Sequence, residues 1–126
     1  MSGKTQVIGA WGEAKAASFL GGEGYEIVDK NISCRMGEID IIAYRELPHY
    51  GRTLCFIEVK TRGYGQGSAA RATNYKKIQR IQKTAIWYCQ RKKIDREITA
   101  IQFEHVSVYG SPERGVKEIK HFVIEM

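Results

Sequence analysis

Apolar and polar positions along the chain fall into seven segments. Residues 5–21 carry Ala16, Ala17 and Leu20 at helical spacing and run into Gly21-Gly22-Glu23-Gly24, where glycine can adopt the left-handed geometry that ends a helix. Period-two alternation predicts strands over 25–32, 38–44 and 53–61, with turn residues between them. A glycine-rich loop, RGYGQGSAA, separates the third strand from a long helix over 72–93. Two further strands are predicted at 97–109 and 116–125. The order αβββαββ implies an α/β fold with a mixed central sheet flanked by helices. The 126 residues show no repeat, linker or low-complexity segment, so a single domain over 1–126 is expected.

The second helix is two-sided. At about 100° per residue, Ile78, Ile81, Ala85, Ile86, Tyr88 and Cys89 fall on one side. Lys76, Lys77, Arg80, Lys83 and Arg91 fall opposite, with Trp87 among them. Charge sharpens this picture. Residues 71–96 hold nine basic side chains and one acidic, a surplus of +8 against +6 for the whole chain. The remainder is therefore nearly neutral. Such a stripe is either a solvated helix face or a surface for an anionic partner.

Charged residues inside otherwise apolar strands carry the candidate chemistry. In LCFIEVKT, Phe56, Glu58 and Lys60 share one face, and Cys55, Ile57 and Val59 the other. In EIDIIAY, alternation puts Asp40 with Ile42 and Tyr44, opposite Ile39, Ile41 and Ala43. Glu13 shares the packed face of the first helix with Ala16, Ala17 and Leu20. A half-buried carboxylate is costly unless it is paired or bound to a cation, and adjoining carboxylates raise one another's pKa. A divalent metal between Asp40 and Glu58 would resolve that cost, and Lys60 could then orient a water or stabilise charge on a phosphate. The competing explanation is a surface Glu58–Lys60 ion pair, with Asp40 guarding a sheet edge.

Other chemistries find little support. Cys34, Cys55 and Cys89 are widely spaced, and no Cys/His ligand pattern occurs, so neither disulfides nor a structural zinc is expected. Free thiols suggest a reducing compartment, and a cytoplasmic location is expected. No apolar stretch approaches the roughly 20 residues of a membrane span, and Glu13 and Lys15 interrupt any secretory signal. His49, His105 and His121 are too scattered to suggest a ligand set. GYGQG lacks the Lys-Ser/Thr of a phosphate-binding loop.

The succession GEAKAASFL, GYEIVDKNISCRMGEIDIIA, FIEVKTR and KKIQRIQKTAIWY, over roughly residues 9–90, resembles the YraN-like family of small bacterial proteins. That family is similar to Holliday-junction resolvases of the PD-(D/E)xK nuclease superfamily. The resemblance implies a restriction-endonuclease-like core and a Mg²⁺- (or Mn²⁺-) dependent endonuclease acting on DNA, in particular on branched or structured DNA. Asp40, Glu58 and Lys60 match the superfamily motif, and Glu13 matches the helical Glu of the resolvase-like branch. On that pattern the metal is held by Asp40, Glu58 and the backbone carbonyl of Val59, with Glu13 bound directly or through water. Lys77 and Arg80 match the family's K-x-x-R. Arg62, Arg71, Lys76, Lys77, Arg80 and Lys83 are the expected phosphate contacts, and Trp87 or Tyr64 a stacking platform for a base. A homodimer is expected by the same resemblance, because resolvases cut two strands with two sites. One departure stands out: Gln102-Phe103-Glu104 replaces the family's Arg-Phe-Asp. A nucleic-acid-binding module that keeps the fold without cutting is the alternative function.

Overall fold

The computed structural model describes residues 3–63 and 75–125. Tyr64 and Arg71 lie outside them. Seven elements follow the expected order: α1 (Gly3–Gly22), β1 (Glu26–Cys34), β2 (Gly37–Leu47), β3 (Gly51–Arg62), α2 (Tyr75–Arg91), β4 (Ala100–Ser111) and β5 (Gly115–Val123). β4 starts later than its sequence pattern suggests, since residues 94–99 turn at the surface and leave Ile98 exposed.

The sheet runs β1-β2-β3-β4-β5. β1, β2 and β3 form an antiparallel meander, β4 lies parallel to β3, and β5 returns antiparallel to β4. The parallel β3–β4 step requires a crossover, which α2 supplies. This is the α/β, nuclease-like arrangement.

The two helices cover opposite faces. α1 lays Ala16 and Leu20 on Ile41, Ala43, Cys55, Ile57, Val106 and Val108. α2 lays Ile81, Ala85, Tyr88 and Cys89 on Ile39, Ile42, Leu54 and Phe56. Thr84 is fully buried too, its hydroxyl donating to the Arg80 carbonyl at 2.8 Å. Ile86, expected on this packed face, stands at its margin and is exposed. Trp87 leaves the cationic stripe and packs against the α2-side core, with the Arg91 guanidinium 5.1 Å from its ring centroid.

Two details of backbone place the site. α1 ends as its glycines predict: Gly24 takes φ +95°, and the Tyr25 amide donates to the Leu20 carbonyl. Gly12 is buried on the helix face turned to β3, where a Cβ would collide with the Thr61 side chain. Only glycine lets α1 approach so near. That approach brings the next residue, Glu13, over the end of β3.

Candidate active site

Strict alternation in β2 breaks at Asp40. Ile39 packs with Ile42 on the α2 side, whereas Ile41 and Ala43 pack under α1. The β1–β2 pairing skips Asn31 and Asp40, and Asn31 has φ +53°. The local distortion turns Asp40 away from the face it would share with Ile42 and Tyr44, correcting the assignment made from period two. Asp40 instead lines a cavity of about 300 Å³ with Ile8, Gly9, Glu13, Val59, Lys60 and Thr61. Glu13, Asp40 and Lys60 therefore come together from three separate elements.

The β2–β3 ladder runs from Ile41↔Ile57 to Leu47↔Gly51, so Val59 lies beyond it. Its amide N–H donates to Asp40 Oδ2 at 2.7 Å. In extended backbone the N–H and C=O of one residue face the same neighbour, which directs the Val59 carbonyl toward Asp40 as well. Burial pushes the Asp40 carboxyl up to about 6, and the charges of Glu13, Glu58 and Glu38 add to that against the Val59 hydrogen bond.

Glu58 faces the other way. Its Oε1 lies 2.9 Å from Lys77 Nζ on α2 and 3.2 Å from Nδ1 of the fully buried His105, its partner in the parallel register. His105 Nε2 is 2.9 Å from Ser107 Oγ, and its ring stacks on Phe122 at 5.1 Å. Burial alone would raise the Glu58 pKa, but His105 and Lys77 outweigh it and hold the carboxyl below its usual range. Glu58, Lys77 and Arg80 line a second cavity, of about 330 Å³, with Gly37, Glu38 and Ile81.

The donors fit a hard divalent cation in kind, being carboxylate and carbonyl oxygens around an acidic group already strained by its neighbours. Their convergence is incomplete. Among the described residues no three His, Cys, Asp or Glu side chains come together closely enough to hold a metal ion. Asp40 and Glu13 line one cavity and Glu58 the other.

Lys76, Arg80 and Lys83 are exposed along α2, as the cationic stripe predicts. Arg62 Nε is buried with no hydrogen-bond partner among the described residues. Lys77 differs from the other stripe residues in turning inward.

Sequence reasoning missed His105 and Ser107, because only the β3–β4 register reveals that they stand behind Glu58. It also missed a buried polar network around Glu104, which is wholly inaccessible. Glu104 accepts hydrogen bonds from Tyr25 Oη at 2.7 Å and Gln102 Nε2 at 2.8 Å, and lies 2.6 Å from His121 Nε2. Arg45 donates to Tyr25 Oη at 2.9 Å. A carboxylate inside the apolar run FEHVSV was the available signal, the same one that pointed to Asp40. Gln102 and Glu104 thus hydrogen-bond each other within one strand.

Among the described residues, no helix is long and apolar enough to cross a membrane. Comparison with known proteins matches residues 12–108 to a family model described as uncharacterised protein family UPF0102. A UPF0102 protein of Nocardia farcinica is 42% identical over 112 residues, covering 87% of this chain and 82% of the relative. One from Geotalea daltonii is 37% identical over 119 residues, covering 92% and 86%. A third, from Herpetosiphon aurantiacus, is 33% identical over 123 residues, covering 97% and 95%. The matched span includes Glu13, Asp40, Glu58, Lys60 and the whole of α2, and the chain belongs to the UPF0102 family, the YraN-like group.

Proposed function

We propose that the protein is a metal-dependent endonuclease that hydrolyses DNA phosphodiester bonds, with branched or structured DNA as its substrate. The observation that carries this reading is the meeting of Glu13, Asp40, Val59 and Lys60 around one cavity, with the Asp40 carboxyl pushed up to about 6. A bound Mg²⁺ or Mn²⁺ would supply Lewis-acid polarisation of a phosphoryl oxygen and a more acidic water. Asp40 and Glu58, the Val59 carbonyl and Glu13 would hold it. Lys60, an exposed residue of the cavity lining, would orient the attacking water or meet charge on the phosphate. Lys76, Arg80 and Lys83 would bind backbone phosphates with no demand on sequence, and the half-buried Arg62 would bind another.

The test is nicking of linear, flapped and four-way DNA by the full chain with Mg²⁺ or Mn²⁺, alongside Asp40→Asn and Lys60→Ala. Cleavage that requires the metal and both side chains supports the reading. DNA binding without metal binding or cleavage sinks it and supports a non-catalytic binding module. One feature favours that second reading: Glu58 is already engaged by Lys77 and His105.

A further inference from the structure

The Lys77–Glu58 pair crosses from α2 to β3 at the place where the basic stripe meets the acidic cluster. Lys77 Nζ lies 2.9 Å from Glu58 Oε1, and the Glu58 side chain is only 11% exposed. His105 braces the same oxygen from beneath, itself fixed by Ser107 and Phe122. Asp40, meanwhile, opens to the α1-side cavity beside Glu13. The ammonium thus pairs with the Glu58 carboxylate, on a helix whose neighbouring Lys76, Arg80 and Lys83 face solvent.

We infer that Lys77 is a positioning residue that couples DNA binding to metal binding: its ammonium holds Glu58 away from Asp40 until a DNA phosphate draws it off. This rests on the proposed metal-dependent reading. On Lys77 the Glu58 carboxylate competes with a phosphate on the stripe. While it holds Glu58, a divalent cation finds only Asp40 and Glu13. When a phosphate takes Lys77, Glu58 keeps its contact with His105 alone among the described residues and can turn from it toward the cation. No bond is made or broken in this step; one ion pair exchanges for another. Linkage then requires reciprocity, so DNA tightens the metal and the metal tightens DNA by the same factor. A cleavage site completed only under bound DNA would keep the resting protein from loading metal in full.

The experiment is calorimetric titration of Mn²⁺ into the full chain, its Lys77→Met variant and its Lys77→Arg variant. Each is measured alone and with a short duplex DNA, in a Lys60→Ala background to suppress hydrolysis. Without DNA, Lys77→Met binds Mn²⁺ about tenfold more tightly than its parent, a coupling of ordinary size for two linked sites. DNA tightens Mn²⁺ in the parent and in Lys77→Arg, but not in Lys77→Met. Equal Mn²⁺ affinity in parent and Lys77→Met, with equal tightening by DNA, overturns the inference while leaving the metal reading standing. Absence of Mn²⁺ binding in every form overturns both. A metal-free control reads the pair itself: Lys77→Met and Glu58→Gln each shift the thermal midpoint, and the double variant shifts it by less than their sum. Additive shifts overturn the pairing.

Discussion

Val59 donates its amide N–H to Asp40 Oδ2 across 2.7 Å, just where β3 outruns its ladder with β2. The bond fixes a carboxylate that burial and the neighbouring Glu13, Glu58 and Glu38 would rather see protonated, its pKa rising from 3.8 to about 6. A raised carboxyl pKa means the folded protein binds the proton more tightly than the unfolded chain. Stability is therefore greatest below the unfolded value and declines as pH rises through about 6. The ionised group costs roughly 3 kcal/mol above that window. Asp40→Asn should accordingly unfold at higher temperature than wild type at pH 8, and the advantage should vanish near pH 4. Mn²⁺ should raise the midpoint of wild type only. Equal midpoints at pH 8 would show that the strain on Asp40 is not real.

Phosphate contact along α2 predicts a salt signature. Lys76, Arg80 and Lys83 are exposed and project from one helix face. If each neutralises one phosphate, each replacement by alanine lowers the salt slope of duplex binding by about 0.9 and weakens all sequences alike. Affinity measured by fluorescence anisotropy between low and moderate salt checks this. A slope that stays constant through the triple replacement would place the DNA elsewhere.

Close approach of α1 to β3 depends on Gly12, since a side chain there meets Thr61. Gly12→Val should cost about 2 kcal/mol through overpacking, and should weaken Mn²⁺ binding by moving Glu13 away from Asp40. Gly9 offers the control. It lies on the same helix with open space beyond its Cα, so Gly9→Ala should stabilise by roughly 0.5–1 kcal/mol. Chemical denaturation separates the two. Loss of stability in both would mean that helix geometry, not the Thr61 contact, sets the tolerance.

The hydrophobic pattern made the element order readable because both helices and all five strands bury one face or two. It also located Glu13, Asp40, Glu58 and Lys60, since each stands among residues that must be dry. The side each one faces was less legible. Period two assigned Asp40 to the α2 face, but Asn31 on the adjacent strand, at φ +53°, interrupts the pleat. Nothing local in the sequence announces that. Pairings between distant segments were hidden altogether. His105 reaches Glu58 through the parallel β3–β4 register, and Lys77 turns inward because α2 presents it to that carboxylate. An angular count on the helix alone sees only another cation of the stripe.

Glu104 shows a buried carboxylate with the opposite balance. Burial would raise its pKa, but His121, Gln102, Tyr25 and Cys55 together hold it below the usual range. The sign of the pH effect reverses. A depressed pKa contributes stability that is present above the unfolded value of about 4.5 and is lost as pH falls through the lower folded value. Removing the charge at neutral pH should weaken the hydrogen bonds of the buried Tyr25 hydroxyl and of the half-buried Gln102 amide and His121 ring. Glu104→Gln should therefore destabilise by about 3 kcal/mol at pH 7, with the gap narrowing as acid protonates wild type. Because the network lies under the C-terminal end of α1, against Phe19 and Tyr25, its loss should leave Mn²⁺ affinity unchanged at temperatures where the variant is folded. Titration of Mn²⁺ into folded Glu104→Gln decides the matter. An equal loss of metal affinity would mean that the network and the Asp40 cavity are one unit, joined through α1.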